Sequence, residues 1–284
     1  MGESVAVVIP VWKEDLTEFE RISFIQACRI LNKYKVILVT YHKLNLSYYI
    51  QIIQDESVEF EIKYFDKKYF ESTESYNALM LSVSFYRRFL FYKFILVYQT
   101  DCFVFRDDLM SWLEEGVSYI GAPWLKGFSS AKNETEVIGV GNGGLSLRRV
   151  GHHIKALIIY NYMQKRHLLL HLLDDGENSM PLVSRVSGLL KKLFLQSAFQ
   201  FNGWSANEDY FWGLETNKSS SWFKVPDWRL ASRFSMELQP AYFYHLNNNE
   251  LPFGCHAWWR YDFEFWKPFI ENFGYSLATS EIDK

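Results

Sequence analysis

Four groups in the sequence have the residue types to do chemistry: Asp101, the pair Glu208 and Asp209, His256, and the glycine-rich run Gly139 to Ser146. Asp101 ends an uninterrupted apolar run, Phe94-Ile95-Leu96-Val97-Tyr98, at Gln99-Thr100-Asp101. A run without polar alternation is the pattern of a strand buried on both faces in a parallel or mixed α/β sheet. Ligands of such sheets sit at the carboxyl ends of strands. A lone carboxylate there is either a solvated turn residue or the holder of something that offsets its burial, such as a divalent cation carrying phosphates. Glu208 and Asp209 follow Ser205 and Asn207, either of which can cap a helix whose dipole favours acids in its first turn. That accounts for the acids but not for the flanking Trp204 and Trp212, or for a glycine on either side. His256, between a glycine and two tryptophans, is either a metal ligand or a satisfied core histidine.

Gly139, Gly141 and Gly144 formally satisfy G-x-G-x-x-G, but a dinucleotide fingerprint needs a helix after the glycines and an acid about 20 residues on. Here Leu145-Ser146-Leu147 alternates like a strand and leads into Arg148-Arg149. The glycines instead let backbone approach a sugar closely.

The elements that must position these groups read as a βαβ start. Val5 to Pro10 is a short strand ended by proline, and Trp12 and Glu14 lie on the first loop at a sheet's carboxyl edge; Trp12 either faces a nucleotide or lids the core. Leu16 to Asn32 has helical spacing and Lys35 to Thr40 is the next strand. No glycine-rich phosphate loop follows the first strand, which argues against P-loop enzymes and dinucleotide-binding dehydrogenases. Asn45 to Asp55 reads as a helix, Glu59 to Phe65 as a strand, and Ser75 to Phe91 as one long aromatic-rich helix carrying Tyr76, Asn77, Arg87 and Arg88. Arg87 and Arg88 are adjacent, so they cannot both face one phosphate site. Asp108 to Glu115 is a short helix, Val117 to Trp124 a strand running into a turn, and Gly127 to Glu136 a polar loop. Gly151 to Phe201 is mostly helical, with a break at Asp174 to Pro181 and basic groups at Lys165, Arg166, Lys191 and Lys192. Such a face is either solvated or rests on an anionic membrane surface.

Composition sets the outer bounds. The 284 residues suit one large α/β domain; 18% aromatic content is enough to place some rings on a ligand surface. A net charge of −3 gives no electrostatic case for nucleic acid. Cys28, Cys102 and Cys255 are far apart and odd in number, offering neither a disulfide framework nor a metal pair. The first strand begins too early for a signal peptide, no segment reads as a transmembrane helix, and a cytoplasmic setting is the expectation.

Taken together, the pattern YQTD, YIGAPW, VGNGGLSLR, NEDYFWG and PFGCHAWW resembles a bacterial family of sugar-nucleotide-dependent glycosyltransferases of the GT-A fold, over residues 75 to 266. The resemblance implies an α/β fold with a Rossmann-type central mixed sheet flanked by helices and a helical insertion around 150–200. It implies a single domain, with residues 1–125 as the nucleotide-sugar half and 126–284 as the acceptor and catalytic half. Such enzymes end a central strand with D-x-D, whose metal bridges the nucleotide diphosphate; here Asp101 matches the second acid and Gln99 replaces the first. His256 matches a C-terminal histidine that completes the metal shell, so Mn2+ or Mg2+ is the implied cofactor. Gly141, Asn142, Gly143 and Gly144 match the strand that lines donor sugar and acceptor, and Glu208-Asp209 the acidic pair that supplies the base.

An acceptor hydroxyl is too weak an acid to attack unaided, so a carboxylate must take its proton. Asp209 is the preferred base and Glu208 its neighbour or an acceptor-binding group. Expected nucleotide-sugar contacts are Pro10, Trp12, Glu14, Tyr76, Asn77, Gln99, Thr100, Asp101, Gly143 and Gly144. Trp124, Trp204 and Trp212 are candidate platforms for a sugar ring, with Asn142 beside the acceptor. The implied partners are a nucleoside-diphosphate sugar, UDP-linked, and a glycan or lipid-linked glycan of a bacterial surface polysaccharide or lipopolysaccharide, with peripheral contact at the inner face of the cell membrane. Two other readings are a non-catalytic sugar-binding scaffold and a sugar nucleotidyltransferase. The latter needs a glycine-rich basic first loop, which Val8 to Lys13 is not.

Overall fold

The structure is a computed structural model that describes residues 4–127, 135–174 and 207–278. Its centre is a six-stranded mixed sheet. Strands β1 (Val5–Pro10), β2 (Val36–Tyr41), β3 (Phe60–Phe65) and β4 (Phe94–Tyr98) run parallel. Beyond β4 lie an antiparallel strand, β9 (Leu145–Arg149), and β6 (Tyr119–Ile120) at the edge. Spatial order is β3-β2-β1-β4-β9-β6. The chain builds outward from β1 to β3 and then returns to place β4 on the other side of β1. That reversal opens a crevice at the carboxyl ends of β1 and β4, which is where ligands of open α/β sheets bind.

Both faces of the sheet are covered, as the unbroken apolar strands require. Alternate side chains point to opposite faces. Val5, Val7, Ile9 and Leu96 pack with residues of helices α1 (Glu18–Ile30) and α2 (Ser47–Asp55). Ala6, Val8, Ile95 and Val97 pack with residues of α3 (Thr73–Met80), α4 (Val83–Arg87) and α5 (Val150–Asp174). Helix α1 starts on a capping box: Glu20 N–H donates to Thr17 Oγ1 and Thr17 N–H to Glu20. Among the described residues no helix is long and apolar enough to cross a membrane.

Two expectations are corrected. The stretch 75–91 is two helices, because Ser82 breaks it: its hydroxyl donates to Leu79 O and accepts from Phe85 N–H, capping α4. Serine offers the backbone this alternative to a continuous ladder. The stretch 117–124 is two strands, β6 in the large sheet and β7 (Ala122–Leu125), which pairs with β8 (Val137–Gly141). The chain turns between them at Gly121, where a Cβ would collide with the Gly141 carbonyl. A third sheet joins β10 (Ser235–Met236), β11 (Gly254–His256) and β5 (Cys102–Val104), with β10 parallel and β5 antiparallel to β11. Of the expected helical insertion, Val150–Asp174 is a helix; residues 175–181 of the expected break, Lys191, Lys192 and Trp204 lie outside the described residues, as do 128–134 of the polar loop.

Candidate active site

The crevice between β1 and β4 is a cleft of about 570 Å³. Its lining includes Trp12 from the loop after β1, Gln99 and Asp101 from the end of β4, Tyr76 and Asn77 from α3, Asn142, Gly143 and Gly144 from the turn between β8 and β9, Glu208 and Asp209, and His256. Topology explains the assembly. Register brings β11 antiparallel to β5, pairing His256 with Cys102 and so placing it beside Asp101. Asp101 Oδ1 and His256 Nε2 lie 3.2 Å apart. Both atoms are buried, and neither completes a hydrogen bond.

Burial alone would push the Asp101 carboxyl up and the His256 imidazole down. The two groups reverse this for each other: His256 and Arg260 hold Asp101 below its ordinary range, and Asp101 with Glu237 holds His256 up at about 10. The two groups form a buried ion pair whose facing atoms lack an aligned hydrogen bond, so both are potential ligand atoms for a third partner that replaces the imidazole proton. A divalent cation held by one carboxylate oxygen and one imidazole nitrogen is such a partner. Cys102 Sγ belongs to the same cluster, but its thiol donates to Gly144 O at 3.2 Å and burial raises its pKa far above the usual value. A thiol held protonated is a poor metal ligand.

Asp209 faces the cleft from a short helical turn, Glu208–Tyr210. Its Oδ2 accepts from Gly143 N–H at 3.0 Å and its Oδ1 from Tyr210 N–H at 3.0 Å. Burial, then the negative charge of Glu208, pushes its carboxyl up to about 7, against the opposing pull of the Gly143 amide. Glu208 is in a different state. Arg148 donates to both its carboxylate oxygens, at 2.7 and 2.9 Å, with Arg148 completely buried and Glu208 2% exposed. Arg148 also donates to Ser146 Oγ, Tyr86 Oη and Gly143 O. Every branch of this guanidinium is occupied by the protein itself.

The glycines serve these groups directly. A Cβ on Gly143 would collide with Glu208 Oε1, and one on Gly144 with the His256 ring. Gly143 and Gly144 line the cleft, and the space that a side chain would take at each is filled by the chain's own Glu208 and His256. Asn142 supports the turn with φ 71° and accepts from Gly144 N–H and Leu145 N–H through Oδ1. Asparagine tolerates this left-handed conformation.

Several expected contacts fall elsewhere. Trp212 is fully buried and packs on His153, Tyr86 and Phe223, so it is core and not a sugar platform. Trp124 is 7% exposed and its ring fills the space beside Gly141; it is not part of the cleft lining. Pro10 and Thr100 are buried at strand ends behind the lining. Glu14 is exposed, accepts from Asn45 N–H at 3.4 Å and stays off the lining. Sequence reasoning missed Arg148, Glu237 and Arg260. Arg148 had a readable signal: in β9 it alternates with Leu145 and Leu147 beside the central strand, and a charge there must be paired. Glu237 and Arg260 had none, since only the third sheet brings them to the cleft.

No curated protein sequence matches this chain. Among solved structures it is similar to core-mannan synthase A from Aspergillus fumigatus in a Mn/GDP form (15% identity, 43% of each chain covered, TM-score 0.33). It is also similar to the glycosyltransferase GlyE from Streptococcus pneumoniae (16% identity, 96% of this chain and 64% of that one, TM-score 0.38). A third is mouse xyloside xylosyltransferase 1 in its apo form (11% identity, 90% of this chain and 97% of that one, TM-score 0.47). This chain thus spans less than two thirds of the first two proteins. Residues 59–256 match a family described as protein of unknown function, DUF5672. With most of its length inside that match, the chain belongs to the DUF5672 family.

Proposed function

We propose that this protein is a GT-A glycosyltransferase that moves a sugar from a nucleoside-diphosphate donor, UDP-linked, to a hydroxyl of a glycan or lipid-linked glycan, with inversion by single displacement. The observation that carries the reading is the pairing, across the Gly143-Gly144 turn, of two chemically different acidic sites in one cleft. Asp101 and His256 bring a carboxylate oxygen and an imidazole nitrogen within 3.2 Å of each other without an aligned hydrogen bond. Asp209 has a carboxyl poised near neutrality.

In this reading Asp209 takes the proton of the acceptor hydroxyl while the hydroxyl oxygen bonds to the anomeric carbon, and the bond from that carbon to the diphosphate oxygen breaks with its electrons staying on that oxygen. A base poised near the working pH combines the correct protonation state with driving force. Glu208 has both carboxylate oxygens taken by Arg148, which favours Asp209 as the proton acceptor. Asp101 and His256 would hold Mn2+ or Mg2+, which when bound offsets negative charge on the departing diphosphate. Trp12, 41% exposed, and Tyr76 are placed to cover the donor's base or sugar. Residues 1–125 supply most donor contacts. The acceptor implied by the resemblance, a bacterial surface glycan, places the protein in the cytoplasm at the inner face of the membrane.

The test is release of nucleoside diphosphate from a panel of UDP-, GDP- and dTDP-sugars with Mn2+ present. One donor class is expected to turn over, and Asp209→Asn to lower the rate by about 10²–10⁴ while nucleotide binding persists. Parallel loss of binding would show Asp209 to be structural. A second reading, a sugar-binding scaffold, is favoured by Gln99 standing where a first acid is expected. Metal and nucleotide binding with no turnover of any donor would select it.

A further inference from the structure

Glu237 has no part in the transfer reading above, yet it touches the imidazole on which that reading depends. It follows β10 directly. The register Ser235 to Gly254 and Met236 to Cys255, carried one residue on, sets Glu237 beside His256. Its Oε1 lies 2.9 Å from His256 Nδ1. We propose that Glu237 is a positioning residue that fixes the tautomer and orientation of His256, presenting Nε2 to the divalent cation held with Asp101; the inference rests on the metal-dependent reading of the site.

An ionised carboxylate can only accept, so Nδ1 is the nitrogen that carries hydrogen in this contact. With Nδ1–H held by Glu237, the nitrogen left to ligate a cation, once that cation displaces its proton, is Nε2, which faces Asp101 Oδ1 at 3.2 Å. One edge of the ring lies against Gly144, where a side chain would collide with it. Glu237 thus closes the third side of the ring. Arg260 approaches the other oxygen of Asp101, Oδ2, at 3.8 Å, leaving Oδ1 for the ion. A carboxylate behind a ligating histidine also raises the basicity of that histidine, and its loss commonly weakens metal binding 10–100-fold.

The experiment is Mn2+ binding to the full chain, with and without UDP, followed by electron paramagnetic resonance. Glu237→Leu is expected to weaken Mn2+ binding by roughly 10–100-fold. Glu237→Gln, whose amide oxygen still accepts from Nδ1–H, is expected to keep most of the affinity, a rescue that a merely structural role would not produce. Asp101→Ala is expected to abolish binding. Wild-type affinity in Glu237→Leu, with binding lost in Asp101→Ala, overturns the proposal while sparing the metal site. Absence of Mn2+ binding by the wild type overturns the metal reading and this inference with it. Should Glu237→Leu not fold, Glu237→Asp draws the carboxylate back from the ring, and undiminished affinity there overturns the proposal equally.

Discussion

Two charged clusters flank the Asn142 to Gly144 turn, and they are built on opposite principles. On one side Arg148 and Glu208 are dry and mutually satisfied, with the remaining guanidinium bonds taken by Ser146, Tyr86 and Gly143. On the other, Asp101 and His256 face one another with buried atoms that complete no hydrogen bond. The filled cluster has no capacity left for a ligand, so its role is to hold β9, the glycine turn and the Glu208–Tyr210 helical turn in one geometry. In the proposed function this second cluster is the one that would hold the cation. Asp209 sits between them, anchored through Gly143 to the first and facing the same cleft as the second.

The largest effect is expected from breaking the filled cluster. Glu208→Ala leaves Arg148 buried and uncompensated and should cost about 3–5 kcal/mol in chemical denaturation. Arg148→Met with Glu208→Leu should restore most of that stability, because apolar pairs often replace buried ion pairs without loss. Should the single substitution cost less than about 1 kcal/mol, the cluster is not the clamp described here.

Next is Asp209→Asn, which separates chemistry from stability. A carboxyl held at about 7 in the folded protein, above the ordinary 3.8, means that the native state binds more protons than the unfolded chain between those values. Stability from this group therefore falls as pH rises from about 4 to 7. Asn removes that cost, so the variant should unfold at the same or a higher temperature near pH 8, by roughly 1 kcal/mol after allowing for partial exposure, even as turnover collapses. A variant that loses both would place Asp209 in the framework. In the same wild-type protein the rate should climb with pH up to about 7 and then level, as the base ionises; a flat profile from pH 5 to 8 would remove the assignment.

The smallest effect is expected at the cleft's exposed rim. Trp12→Ala should change stability by no more than about 0.5 kcal/mol, with its cost confined to nucleotide affinity. A marked loss of stability would show that the ring lids the core.

The same contrast explains what could be read in advance. The apolar run ending at Asp101 and the strands Val5–Pro10 and Val36–Tyr41 were legible because buried parallel strands have no polar alternation to hide them, and the edge strand Phe60–Phe65 because of its aromatic and β-branched content. That Asp101, Gly143, Gly144, Asp209 and His256 line one cleft was legible only through the joint motif pattern, since each taken alone had an ordinary local explanation. Trp212 misled because a tryptophan beside acids and glycine looks like a ligand platform, whereas its indole fills the space under His153 and Phe223. Ser82 and Gly121 divide elements that propensity alone would continue, one by capping and one by close approach. Arg148 and Glu237 act through partners 60 and 19 residues distant, which only the folded sheets bring together.

The most direct test of the account is calorimetric titration of UDP into the wild-type protein and Asp101→Asn, each with and without Mn2+. The account predicts Mn2+-dependent UDP binding by the wild type, raising stability by about 2.7 kcal/mol at a hundredfold excess over Kd, and its loss in Asp101→Asn with the fold intact. UDP affinity that is the same with and without Mn2+, and unchanged by the substitution, would contradict the assignment of Asp101 and His256 as the ligand-seeking half of the site.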